Sequence, residues 1–162
     1  MAIVTLTVTD LELASGTYKV DFHATGNEID DGRATAAYLT GFYMNTLVNT
    51  PDFLNGCIEF GRAMIEGLTR SKPDRPHSTE LAKMVVTLTD QDLETGRMGI
   101  NLEAMGGDLT GESLPTTAQI IGTYMRYLLT DMDFRAKVWE FADEFVANNS
   151  EAVIENEAQR AA

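Results

Sequence analysis

An internal repeat constrains this sequence more than any other feature. Gly41–Leu47 (GFYMNTL) returns as Gly122–Leu128 (GTYMRYL), and Glu59-Phe60 returns as Glu140-Phe141. The offset is 81 residues in both cases. A constant offset through two helical patterns and the loop between them indicates two copies of one module, too few for a solenoid. We expect a packed pair with pseudo-two-fold symmetry rather than two independent domains, because a module this short buries only a marginal core alone.

A shorter echo near the N-terminus carries a different offset. Val4–Thr7 (VTLT) returns as Val86–Thr89, and Asp10–Glu12 (DLE) returns as Asp92–Glu94, in both cases 82 residues later. We therefore expect the modules to differ by one residue in a loop between these blocks and the helices. The turn of the second hairpin, at Thr95, should be two residues shorter than the turn of the first.

Each module has the pattern of two strands followed by two helices. Val4, Leu6 and Val8 alternate with threonines, which predicts a strand with one apolar face. Thr50 followed by Pro51 predicts a helix start. The predicted fold is α+β, with tandem duplicated β-β-α-α modules whose antiparallel hairpins carry helices on one face. The hairpins could share one four-stranded sheet, or two sheets could pack through their helices.

Composition sets the expected limits of the modules. Pro73 and Pro76 lie in a stretch with almost no apolar side chains, which is typical of a linker. The C-terminal residues are acidic and could fray or add a short helix. The predicted organisation is module 1 at 1–68, a linker at 69–83, module 2 at 84–149 and an acidic tail at 150–162.

Charge and hydropathy exclude several classes of function. The 162 residues carry a net charge of −13 and a pI near 4.4, and both modules are acidic while the linker is basic. This field repels nucleic acid and anionic membranes, so we expect no direct nucleic-acid binding. No stretch reaches the ~20 apolar residues of a membrane span, and residues 1–5 lack the pattern of a signal sequence. We therefore expect a cytoplasmic protein.

No set of side chains has the residue types and spacing of a known active site. His23 faces outward on a strand, and His77 lies in the linker without a carboxylate at fixed spacing. Cys57, the single cysteine, falls in an apolar helical stripe and is interpreted as a buried hydrophobe. Glu28, Asp30 and Asp31 could ligate Ca²⁺, but the spacing of an EF-hand is absent. We expect no enzyme, no cofactor and no metal site.

Two motifs carry a family resemblance. Val86–Glu94 (VTLTDQDLE), followed by a hairpin and by Leu114–Gln119 (LPTTAQ) at a helix start, resembles small acidic proteins of bacteriophages and prophages. Val4–Glu12 matches more loosely, and Gly32–Thr35 replaces the Leu-Pro-Thr segment in the first module. Those proteins usually have one such module and mostly no assigned function. The resemblance implies a phage-type setting and transfers no functional residue.

These features predict a non-enzymatic accessory protein that binds and blocks a basic or nucleic-acid-binding host protein, with its acidic surface imitating phosphates. One alternative is a structural or assembly protein of a phage particle that forms homo-oligomers through a threonine-rich sheet face. Another is a small-ligand binder or an enzyme with an unfamiliar site. The predicted interaction residues are all acidic: Glu28, Asp30, Asp31, Asp90, Asp92, Glu94, Asp108, Glu112, Asp143 and Glu144.

Overall fold

Strands from both copies of the sequence repeat form one sheet. The computed structural model describes residues 1–26, 29–30 and 33–161, with side chains described for 1–26 and 34–148. In chain order the elements are β1 (Ala2–Glu12), β2 (Thr17–Gly26), β3 (Ile29–Asp30), β4 (Arg33–Ala34), α1 (Ala36–Leu47), α2 (Pro51–Ser71), β5 (Ala82–Asp92), β6 (Arg97–Gly106), α3 (Thr117–Thr130) and α4 (Met132–Ala161). We call β1 to α2 the first half and β5 to α4 the second half.

The main sheet has the strand order β2-β1-β5-β6 and is antiparallel throughout. The fold is therefore α+β, and of the two arrangements that the sequence left open, the single four-stranded sheet is the one that forms. Leu6 lies opposite Val86 at the centre of the β1–β5 pairing, with Ile3 opposite Thr89 and Thr9 opposite Lys83. The pairing is thus symmetric about its central pair. The short strands β3 and β4 pair antiparallel in a separate two-stranded sheet.

The strands of the two halves correspond at an offset of 80 residues, not 82. β1 and β5 have the same length and the same alternation of buried and exposed positions, beginning at Ala2 and Ala82. The two hairpin turns are also equal, at residues 13–16 and 93–96. The strand offset of 82 and the shorter second turn were therefore wrong predictions. They arose because a Thr-x-Thr pattern matches itself after a shift of two residues. Such a shift keeps every side chain on its face and changes only the register.

The helices follow the predicted offset of 81. The first helix of each half, α1 or α3, lies close to the sheet at a matched glycine. A β-carbon at Gly41 of α1 would lie 2.4 Å from Cγ1 of Val4, and one at Gly122 of α3 would lie 2.5 Å from Cβ of Met84. The absence of a side chain at these two positions lets α1 and α3 rest directly on the central strands. Thr35 and Thr116 cap the two helices at equivalent positions.

The second helix of each half packs against the other half. The ring of Tyr43 in α1 lies 5.6 Å from that of Phe134 and 5.1 Å from that of Phe141, both in α4. Its counterpart Tyr124 in α3 lies 5.4 Å from the ring of Phe53 in α2. Such aromatic pairs add stability beyond the burial of their area. The two halves are therefore joined through their helices as well as through the sheet.

The core lies between the inward face of the sheet and the four helices. Side chains from both halves share it, including the fully buried Leu6, Met44, Leu88 and Met125. The predicted limits at 68 and 84 fall inside α2 and β5, and α4 continues through most of the predicted tail. None of the helices in the described part of the chain is long and apolar enough to cross a bilayer.

Candidate functional site

A buried aspartate at the end of β1 binds backbone groups of the second half. Asp10 is only 3% exposed, and it occupies the inward position that follows Val8 in the alternation. Its carboxylate accepts a hydrogen bond of 2.9 Å from the N–H of Ala82 and one of 2.7 Å from the N–H of Ala118. Asp10 thus holds both the start of β5 and the first turn of α3, where the N–H groups have no partner within the helix.

Asp90 makes the reciprocal contacts to the first half. It is 2% exposed, and its carboxylate accepts 2.6 Å and 2.9 Å hydrogen bonds from the N–H groups of Ala2 and Ala37. The prediction of Asp90 as a surface interaction residue is therefore corrected, because its carboxylate is enclosed between strand and helix. Hydrogen bonds to a charged acceptor are stronger than neutral ones. Together the two aspartates act as a pair of clamps between the halves.

Of the predicted interaction residues, Asp92 ends β5 just before the second hairpin turn and Glu94 lies within that turn, and both are exposed. The Asp92 carboxylate accepts hydrogen bonds from the hydroxyl of Thr95 at 2.8 Å and from the N–H of Glu94 at 3.0 Å. The bonds from Thr95 are the main cause that holds the pKa of Asp92 below its usual value. This carboxylate therefore organises its own turn.

Asp108 and Glu112 lie in the loop between β6 and α3. Asp108 accepts hydrogen bonds from Thr110 and from the N–H of Ser113, and these bonds lower the pKa of its carboxyl group well below the ordinary range. Glu112 forms an ion pair with Lys72, which lowers the pKa of Glu112. Asp108 therefore shapes the loop, and Glu112 ties it to the end of α2.

The remaining predicted residues are dispersed. Asp143 and Glu144 are exposed on α4. Glu28 and Asp31 lie outside the described residues, and of Asp30 only the backbone, in β3, is described. The structure therefore does not gather the predicted acidic residues that it describes into one cluster. Within the described ranges, no three His, Cys, Asp or Glu residues are grouped as metal ligands.

A groove lies on the helical side of the molecule, where α1 and α3 meet α2 and α4, with a volume of about 620 Å³. Its floor comes from equivalent residues of the two halves and is mostly aromatic and aliphatic. The floor residues, in matched pairs, are Tyr43 and Tyr124, Leu47 and Leu128, and Phe53 and Phe134. We call this feature the helical groove.

The rim of the helical groove is acidic. Asp52, Glu140 and Glu144 line it together with a single cation, Lys137, and all four side chains are exposed. Burial and the nearby Glu140 raise the pKa of Tyr43, so its hydroxyl stays protonated and can donate a hydrogen bond. An apolar floor with a mainly anionic rim is chemically suited to a ligand that has an apolar face and positive charges.

Sequence reasoning missed most of this groove. Glu140-Phe141 was visible as part of the repeat, and Asp52 as a helix-start residue, but neither signal says that α2 and α4 border the same depression. Of the predicted interaction residues, Glu144 alone is among those that line the groove in the described structure. The groove depends on each half packing its last helix against the other half, which periodicity does not report.

The structure places His23 and Cys57, the two side chains considered as catalytic candidates, on the sheet surface and in the core. His23 is exposed on the outward sheet face, opposite Thr5 on β1. Cys57 is 6% exposed in the core, and burial raises the pKa of its thiol to about 12. The interpretation of Cys57 as a small buried hydrophobe is confirmed.

Comparison of the chain with protein-family models, with curated proteins and with solved structures found no match.

Proposed function

We propose that this protein is a non-catalytic binding protein that holds a basic, amphipathic segment of a partner protein in the helical groove. The observation that supports this proposal is the combination of a paired aromatic floor with a rim of three carboxylates and one lysine. An amphipathic helix that lays its apolar face into a groove is a recurrent mode of peptide recognition. The net charge of −13 would attract such a basic segment from a distance.

The floor and the rim have separate roles in this proposal. Burial of apolar side chains against Tyr43, Tyr124 and Phe141 supplies most of the affinity, since buried aromatic residues dominate interface energetics. The exposed carboxylates of Asp52, Glu140 and Glu144 make binding selective for a positively charged partner and accelerate its association with the protein. Binding should therefore weaken with salt without being abolished, because screening acts mainly on the rim.

The setting is part of the same proposal. The resemblance of the VTLTDQDLE and LPTTAQ motifs to phage proteins makes the partner a host protein, blocked at a basic surface that would otherwise contact nucleic acid. A single, free and buried cysteine suits the reducing cytoplasm. We also infer that the two halves descend from one duplicated unit, on the basis of their matched strands, caps and glycines.

A pair of designed peptides tests the proposed function. One peptide carries leucines at positions i, i+3, i+4 and i+7 of a helix and lysines elsewhere, and the other carries glutamates in place of the lysines. Fluorescence anisotropy with labelled peptides should show binding of the basic peptide and none of the acidic one. Equal binding of both peptides, or of neither, contradicts the proposal.

Matched variants locate the interaction. The triple substitution Asp52→Asn, Glu140→Gln and Glu144→Gln removes three negative charges from the rim and should weaken basic-peptide binding about tenfold or more. The control triple substitution, Glu12→Gln, Glu94→Gln and Glu103→Gln, removes three exposed charges outside the groove. It should change binding by less than about threefold. Equal losses would assign binding to overall charge instead of the groove.

A second candidate function is assembly through the sheet. The outward face presents Thr5, Thr7 and Thr87 in neighbouring positions of the central strands, and the edge strands β2 and β6 are each ten residues long. Unpaired edges are templates for pairing with another chain. Light scattering tests this candidate, since a molecular mass that grows with concentration supports it. A mass of one chain at all concentrations would contradict it.

A further inference from the structure

A second cavity lies between α1, the first turns of α4 and the turn of the β5–β6 hairpin. Its volume is about 360 Å³, at the low end of the 300–1,000 Å³ that is typical of small-molecule sites. The floor is formed by buried core residues, Leu39, Leu129, Phe134 and Val138. We call it the arginine cleft. The floor offers a preformed apolar surface, because these side chains are held by the core.

Two guanidinium groups line the cleft. Neither Arg97 nor Arg135 has a carboxylate oxygen within 4 Å among the residues that the structure describes; Arg97 acts on Asp92 only at longer range. The Nε of Arg135 lies 3.5 Å from the carbonyl oxygen of Leu129, which leaves its two terminal nitrogens available. In a protein with 25 acidic and 12 basic residues, two arginines without a carboxylate oxygen within 4 Å at one cavity favour an anion there.

An exposed indole completes the rim. Trp139 is 57% exposed and is the single tryptophan of the chain. Its ring lies close to the hairpin turn, since a β-carbon at Gly96 would be 3.4 Å from Cη2 of the indole. A large aromatic ring left in water beside an apolar cavity presents a face on which another planar group can stack.

The equivalent position in the other half lacks all three features. Thr17 corresponds to Arg97 at the strand offset of 80 residues, and Leu54 and Ile58 correspond to Arg135 and Trp139 at the helix offset of 81. The fold therefore accommodates uncharged, non-aromatic residues at these positions. The two arginines and the indole are therefore not required by the fold, and binding of a ligand would account for their presence on one side.

We propose that the arginine cleft binds a small aromatic anion. The planar ring lies against the indole of Trp139 and the apolar floor, while a carboxylate or phosphate group is held between Arg97 and Arg135. The guanidinium fork matches both kinds of anion with paired N–H donors. The size of the cleft suits one ring or two fused rings. This site shares Phe134 with the groove that would hold a basic peptide, but its charged residues differ and it selects the opposite charge.

The single tryptophan gives a direct measurement. In a ¹H–¹⁵N correlation spectrum of the full chain, the one indole N–H peak belongs to Trp139 without further assignment. Titration with 1-naphthoate and with 1-naphthyl phosphate should move this peak to saturation, and the tighter of the two identifies the anion class. The neutral 1-naphthylmethanol should bind at least about tenfold more weakly. An indole peak that stays in place at millimolar concentrations of both anions overturns the proposal.

Variants taken from the other half test the role of the arginines. Arg97→Thr and Arg135→Leu each introduce the equivalent residue, and each should raise the dissociation constant of the preferred anion about tenfold. Arg62→Thr, on the exposed side of α2, removes the same charge elsewhere and should leave it within about twofold. If the double variant Arg97→Thr/Arg135→Leu binds the anion as tightly as the parent, the assignment is wrong. The basic-peptide assay is independent of all these outcomes.

Discussion

The two halves of this protein are alike in their buried contacts and unlike where they face solvent. Asp10 and Asp90 make reciprocal hydrogen bonds across the boundary, and Gly41 and Gly122 lie against the central strands in the same way. On the outside, the arginine cleft has no equivalent in the first half. The comparison teaches that buried contacts within and between the halves fix the shared residues, while each outer surface is free to acquire its own chemistry.

The largest expected effect comes from separating the halves. A fragment of residues 1–78 lacks the partner that supplies the donors for Asp10 and the rings that cover Tyr43. We expect it to be unfolded or dimeric, because the pairing symmetric about Leu6 lets two copies reproduce the interface. Sedimentation equilibrium and circular dichroism check this.

Mixing this fragment with residues 79–162 should restore the native spectrum as a one-to-one complex. A folded monomer of either fragment would break the comparison, since it would show that a half is complete on its own.

Removing a buried carboxylate should have the next largest effect. Asp10→Ala and Asp90→Ala each leave two backbone N–H groups unpaired inside the protein, which should lower the free energy of unfolding by about 3–5 kcal/mol. Urea denaturation measures this, and the two losses should agree within about 1 kcal/mol because the contacts are reciprocal. The control Asp21→Ala removes an exposed carboxylate and should cost under about 0.5 kcal/mol. Unequal losses would show that the clamps differ.

Glycine substitutions should act with opposite signs at the contact between helix and sheet and away from it. Gly41→Ala and Gly122→Ala place a methyl group 2.4–2.5 Å from a side chain of the sheet, and each should cost about 1–3 kcal/mol. Gly67→Ala in α2 meets nothing within 4 Å and should stabilise by about 0.5–1 kcal/mol through helix propensity. Thermal unfolding of the three variants measures the contrast, and stabilisation by Gly41→Ala would contradict the close approach of α1.

The smallest effect concerns Cys57, whose counterpart is Val138. With a thiol pKa of about 12, roughly 10⁻⁴ of the group is ionised at pH 8, against about one-tenth at an ordinary pKa. A disulfide reagent should therefore label the native protein at least about a hundredfold more slowly than the urea-unfolded chain. Cys57→Val makes the halves more alike and should shift stability by less than about 1 kcal/mol. Rapid native labelling would show that this part of the core opens.

The helices were predictable from sequence because the repeat of Gly41–Leu47 fixes their spacing and Thr50-Pro51 marks a start. The strand register was not, because an alternating pattern looks the same after a slide of two residues. The signal that could have set it was Asp10, which continues the inward phase after Val8, as Asp90 does after Leu88. In a sequence, a single acidic residue near the end of a strand is typical of a solvent-exposed turn, so the burial of Asp10 and Asp90 was not predicted.

The two cavities were beyond the sequence for a different reason. Asp52 and Glu140 border one groove only because α2 and α4 each cross to the opposite half. Arg97 and Arg135 line one cavity because the β5–β6 hairpin lies beside α4, which comes later in the chain. Local propensity and periodicity describe each element by itself, and long-range packing brings these residues together.

The reciprocal carboxylates also limit how the sequence can change over time. A substitution of Asp10 cannot be compensated by another residue change in its own hairpin, because the backbone N–H groups left unpaired belong to Ala82 and Ala118. Compensation has to arise some 70 to 110 residues away. Sequences that keep this architecture should therefore show paired substitutions between the end of one central strand and the helix start of the opposite repeat.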